Sequence, residues 1–195
     1  MTIKMLKNVL FVFVLLTLLS FDLPTGWHKA GSDPQSYNMG IDKGTAQDGK
    51  NAATIKSNTK KVKGFGTLMQ SCTATKYLGK RIKMTGYVKS EEVKGWAGLW
   101  LRVDPAATGA KPLGFDNMGD RPIKKTTDWK KYEIILDVPD NANNLAYGAL
   151  LVGQGQIWFS NINFEIVDDT VSLTNNDCYV CSKILNEPTN LNFDK

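Results

Sequence analysis

From residue 37 to residue 167 the chain alternates short apolar runs with turn signals, and no stretch there sustains the 3.6-residue apolar period of an amphipathic helix. That pattern restricts the fold to strands joined by tight turns. Eight strands are predicted, over 37–42, 52–57, 66–73, 81–89, 97–104, 131–138, 146–152 and 156–167. Between them lie Asp48-Gly49, Asp104-Pro105, Pro139-Asp140 and Gly153-Gln154-Gly155, which supply either a preset φ or tolerance of positive φ. Within 81–89, Ile82, Met84, Gly86 and Val88 fall on one face, against Arg81, Lys83, Thr85, Tyr87 and Lys89 on the other. Tyr132, Ile134, Leu136 and Val138 oppose Glu133, Ile135 and Asp137 in the same way. The expectation is an all-β fold, a two-sheet antiparallel β-sandwich with one core in a chain of 195 residues.

The ends read differently. Lys4 and Lys7 precede an apolar run from Val9 to Leu19, the order of a secretory signal peptide, and the run is short for a membrane span. No A-x-A-like cleavage motif follows, so residues 1–20 are a signal peptide or a short N-terminal anchor. Residues 21–167 form the sandwich, and residues 168–195 are a polar tail or linker. This reading places the protein outside the cell or at the cell envelope, with membrane anchoring through the N-terminal segment as one option. Without Lys4 and Lys7 the formal charge of +5 falls to +3. The lysines at 56, 60, 61 and 63 lack interleaved aromatics and any nucleic-acid motif, so they read as a solvated loop. Cys72 reads as a small core residue, and Cys178 and Cys181 as a local tail disulfide or free thiols.

One strand carries the functional reading. Along Trp96-Ala-Gly-Leu-Trp-Leu-Arg-Val-Asp104, alternation puts Ala97, Leu99, Leu101 and Val103 on an apolar face and Trp96, Gly98, Trp100, Arg102 and Asp104 on the opposite one. Sugars present flat C–H patches beside hydroxyls, so aromatic platforms next to donors and acceptors suit them. The loop Phe115-Asp-Asn-Met-Gly-Asp-Arg121 adds Asn117 and Arg121 at the rim. The other reading of Trp96 and Trp100 is packing under loops or a second sheet. Trp27, Trp129 and Trp158 read as core or edge packing. No nucleophile elbow, P-loop or dinucleotide glycine pattern occurs, and His28, the single histidine, reads as structural. The chain is therefore expected to be no enzyme and to need no cofactor.

Gly26-Trp27, Phe65-Gly-Thr-Leu-Met-Gln70, Gly79 to Val88, Gly95 to Asp104, Thr127 to Ile134 and Gly155 to Glu165 follow the order found in bacterial galactose-binding-like jelly rolls, which residues 19–167 resemble. The resemblance implies a jelly roll whose sheet or rim loops hold a ligand, as in carbohydrate-binding modules of glycoside hydrolases; similar domains also accompany bacterial transcription regulators and hydrolases of other kinds. It sets Trp96, Trp100 and Arg102 on a strand where such modules place binding residues. Relatives often carry an Asp-Asp pair before the last apolar residues, where aspartate helps hold calcium; here Ser160-Asn161 occupies those positions, so no metal is expected. It also implies that Leu19-Ser-Phe-Asp22 is the first jelly-roll strand. The resulting expectation is a non-catalytic module for a polysaccharide or cell-wall glycan, with Trp96, Trp100, Arg102, Asp104, Asn117 and Arg121 as ligand-binding residues. The alternative is a structural or protein-interaction domain of the cell envelope without a sugar ligand.

Overall fold

The computed structural model describes residues 21–174. The N-terminal apolar segment and the Cys178/Cys181 pair, on which the export, anchoring and disulfide readings fall, lie outside the described residues. Nine strands form among the described residues: β1 (His28–Gly31), β2 (Tyr37–Asp42), β3 (Ala52–Ser57), β4 (Phe65–Thr73), β5 (Lys80–Pro105), β6 (Gly114–Asp116), β7 (Ile123–Val138), β8 (Ala142–Val152) and β9 (Gln156–Val167). All pairings are antiparallel, in the order β1-β4-β8-β5-β9-β3-β2, with β6 and β7 also on β5.

The main departure from the predicted strands is β5, which runs unbroken where the polar stretch Ser90 to Gly95 reads as a break. The first half of β5 pairs with β9 and most of β7, and the second half with β8 and β6. The register shifts against β7 between Val88 and Ala97, and Glu92 (φ 49°) and Lys125 (φ 62°) adopt left-handed backbone there. These are β-bulges, which bend and twist a strand without ending it. The strand stays paired because Ser90 is satisfied internally, its Oγ donating to the Lys125 carbonyl at 3.1 Å and lying 2.9 Å from Thr127 Oγ1.

Both halves of β5 point their apolar set inward. Ile82, Met84, Val88, Ala97, Leu99, Leu101 and Val103 share one buried cluster with Met39, Ile55, Leu68, Ile134, Leu145, Leu151 and Phe159. Strands β2, β3, β7 and β9 thus face β4 and β8 across one core, the sandwich that the alternation predicts. Ile135 departs from it: on the opposite face of β7 it is also buried, and its N–H is bonded by Thr174.

Three smaller readings need correction. Cys72 is exposed near the end of β4 rather than in the core: it shares the face of core residue Leu68, but the buried stretch of the strand ends before it. His28 is exposed on the short edge strand β1, so it holds no core contact. Of the expected first strand, Leu19 and Ser20 lie outside the described residues, and Phe21 and Asp22 carry no strand, although the Asp22 carbonyl accepts from Ile41 N–H of β2 at 2.7 Å.

Tyr37 fastens two turns to this frame, its hydroxyl donating to the Gly64 and Gly153 carbonyls at 3.2 and 3.1 Å. Burial pushes its phenol up to about 12. The folded state therefore keeps a proton that the unfolded chain gives up near pH 10, so stability present below pH 10 is lost as pH rises toward 12. Base titration followed by circular dichroism should show this loss, on the order of 2 kcal/mol, and Tyr37→Phe should remove that part of the pH dependence.

Candidate functional site

The outer face of the β4-β8-β5 layer is covered by side chains of its own. Cross-strand register aligns Trp96 with Val152 and Phe65, Gly98 with Leu150 and Thr67, and Trp100 with Gly148 and Met69. Trp100, Ala146 and Leu150 form a second buried cluster, with Phe65, Met69, Trp96, Phe115 and Val152 packed around it. A concave pocket of about 410 Å³ opens over this cluster, and its walls include Trp96, Trp100, Arg102 and Asn117.

Trp100 forms part of the pocket wall yet is only 6% exposed, and its indole N–H donates to Thr67 Oγ1 at 2.8 Å. Thr67 Oγ1 in turn donates to the Ala149 carbonyl at 2.7 Å. The ring is thereby fixed by packing and by a hydrogen bond, and it presents little surface to a ligand. Trp96 is half-buried and is the larger aromatic surface of the two β5 tryptophans in the pocket.

The rim is set by the turn after β6. Asp116 Oδ1 accepts from Met118 N–H at 2.7 Å and Asn117 Oδ1 from Gly119 N–H at 3.0 Å. Gly98, between the two tryptophans, lets this turn approach the sheet: a Cβ there would stand 2.7 Å from the Asn117 carbonyl oxygen and 3.1 Å from Met118 Cβ. A Gly98→Ala variant should push residues 117–118 outward and destabilise the fold by roughly 1–3 kcal/mol, as overpacking does. Chemical denaturation measures the cost.

Of the six residues singled out from the sequence, the fold brings Trp96, Trp100, Arg102 and Asn117 to one pocket. Asp104 and Arg121 do not line it. Asp104 is occupied as the partner of Arg102, whose Nε lies 2.8 Å from Asp104 Oδ1 and whose Nη2 donates to Oδ2 at 3.1 Å; Asn144 Nδ2 also donates to Oδ2. Its role is to hold the guanidinium. Arg121 is turned to Asp116, bonding its Oδ2 at 2.7 Å, and also reaches Asp120 and the Glu133 carbonyl. Asp116, 2% exposed, further accepts from the Thr174 hydroxyl at 2.6 Å. This knot anchors the rim turn and the segment after β9, and a buried carboxylate needs such a partner.

The pocket residues missed in the sequence are Ala30 and Gly31 on β1, Phe65, Thr67 and Met69 on β4, and Leu150 and Val152 on β8. For β4 and β8 the signal was available: both strands carry apolar residues on both faces, which marks a sheet covered on each side. Among the described residues no carboxylate lines this pocket, and the carboxylates Asp104, Asp116 and Asp137 are each paired with an arginine. The packing reading holds for Trp27, which lies against Tyr147 and Phe159, and for Trp158, whose indole donates to Asp42 Oδ2 at 2.7 Å.

No protein-family model matches the chain. It is 41% identical over 171 residues to an uncharacterized HTH-type transcriptional regulator, YbfP, of Bacillus subtilis; the match takes in 87% of this chain, which spans 57% of that relative's length. Among solved structures, the enzymatically active domain of bacteriophage CBA120 tailspike protein 4 superposes at TM-score 0.54 and 13% identity, over 73% of this chain and 20% of that one. A xylan-binding domain (CBM22-1) of Paenibacillus barcinonensis superposes at TM-score 0.50 and 14% identity, over 75% of this chain and 89% of that one. At these identities the likeness is one of fold, and the chain has the jelly-roll β-sandwich fold of carbohydrate-binding modules, in keeping with the galactose-binding-like resemblance.

Proposed function

We propose that the protein is a non-catalytic carbohydrate-binding domain that seats a polysaccharide segment in the pocket over β4, β8 and β5. The observation that carries this reading is the convergence of a half-buried tryptophan, Trp96, with Arg102 and Asn117 in one preformed concavity. An aromatic face stacks on the C–H side of a sugar ring while the polar groups fix its substituents. The xylan-binding domain with the same fold supports glycan as the ligand class. We place the domain outside the cell or at the cell envelope, on the strength of the charged and apolar order of residues 1–20.

Affinity electrophoresis of the full chain against a panel of soluble polysaccharides tests the proposal. Retardation by at least one of them is expected, and Trp96→Ala should weaken it about tenfold while changing stability little, since that ring is only half-buried. Retardation by none, or unchanged retardation of the variant, would count against the pocket.

A second reading follows from the regulator of which this chain spans 57%. In it the same pocket senses a saccharide for a DNA-binding partner domain elsewhere in a longer protein. The described residues contain strands and two short 3-10 turns but no α-helix, so a helix-turn-helix is not among them. Cell fractionation separates the readings: an envelope or extracellular location favours the first, and a cytoplasmic one the second.

A further inference from the structure

The pocket's hydrogen-bonding groups are one-sided, and this bears on which sugars it takes, given the reading above that it binds glycan. Thr67 Oγ1 is engaged on both sides, accepting from Trp100 and donating to Ala149. Asn117 Oδ1 is engaged by Gly119, while its amide hydrogens have no partner among the described residues. Asp104 engages Arg102 Nε and Nη2, which leaves Nη1. Among the described residues the Trp96 indole N–H has no partner either, so the polar atoms of the lining side chains that have no partner are donors. A plain sugar hydroxyl both donates and accepts, and side chains that offer chiefly donors match its oxygen better than its hydrogen.

Two further features narrow the acceptor. The Arg102 charge is already balanced by Asp104, so the wall holds no unpaired cation to favour an anion. Beside these donors the wall is Phe65, Met69, Leu150 and Val152, more apolar surface than one stacked ring face needs. A group with a neutral carbonyl acceptor joined to a methyl satisfies both halves of the wall. We infer that the pocket selects acetyl-substituted sugar residues, the carbonyl oxygen accepting from Arg102 and Asn117 and the methyl lying against the apolar side.

Isothermal titration of the full chain with matched pairs tests this: acetylated xylan against the same xylan after alkaline deacetylation, and oligomers of N-acetylglucosamine against oligomers of glucosamine, with a glucuronic-acid-substituted xylan alongside. The acetylated member of at least one pair should bind roughly tenfold tighter or more, the scale on which a pocket senses one small apolar group. Asn117→Asp, which replaces the amide donors by acceptors and keeps an oxygen for Gly119, should narrow that gap. Equal or tighter binding of the deacetylated members, or tightest binding of the uronate chain with steep salt dependence, would overturn the inference and leave glycan binding standing. The inference also fails if other polysaccharides bind while both pairs are silent, and silence of every glycan would remove the proposed function itself.

Discussion

Replacing Trp100 by alanine is expected to cost the domain about 3–5 kcal/mol, the range for deleting a large buried aromatic side chain. The indole is 6% exposed, sits with Ala146 and Leu150 in the second cluster, and donates to Thr67. Its removal would leave a cavity under the pocket and strip Thr67 Oγ1 of its donor. Loss of glycan binding in this variant would therefore report unfolding or collapse of the floor rather than loss of a stacking surface. Urea denaturation gives the first quantity; a denaturation midpoint within error of the wild type would contradict the structural role assigned here. Trp100→Phe, which keeps most of the ring volume, should recover a large part of the loss.

Arg121→Met should cost about 3 kcal/mol, the low end of what breaking a buried ion pair costs, while leaving glycan affinity within about twofold of the wild type. Asp116 is 2% exposed, and with Arg121 gone its carboxylate keeps only the Met118 N–H and the Thr174 hydroxyl. The arginine side chain is itself partly exposed, which holds the cost toward the low end. Thermal or urea unfolding reads the stability, and titration of the folded variant reads the affinity. A large affinity loss with unchanged stability would return Arg121 to the ligand.

The same pair of residues shows where sequence reasoning reached and where it stopped. Alternation along Trp96 to Asp104 correctly separated the core set, Ala97, Leu99, Leu101 and Val103, from the pocket set, because a strand's side chains obey a period of two whatever lies above them. It could not tell that Trp100 would be roofed over while Trp96 stayed half-open, since that depends on β4 and the Phe115 loop, both distant in sequence. Arg121 and Asp104 have the composition of binding residues; Arg121 meets Asp116 through the geometry of the turn after β6, which spacing does not encode, whereas Asp104 and Arg102 share one face of β5, where spacing permits the pair without requiring it. The unbroken β5 was hidden for a related reason: Ser90 to Gly95 is polar enough to read as a turn, and pairing to β9 and β7, distant in sequence, with the Ser90 bonds to β7, keeps it in the sheet. Residues 168–174, polar in the sequence, return to the sandwich through Arg81, which donates to the Asp169 carbonyl and, at 2.6 Å, to the Val171 carbonyl, and through Thr174 at Asp116.

The pocket claim is tested most directly by the indole N–H resonances of the five tryptophans, followed by NMR during titration with a polysaccharide fragment. The structure predicts shifts at Trp96 and Trp100, which line the pocket, and stationary signals from Trp27, Trp129 and Trp158, which do not. Saturable binding that moves Trp158 or Trp129 and leaves Trp96 in place would contradict it.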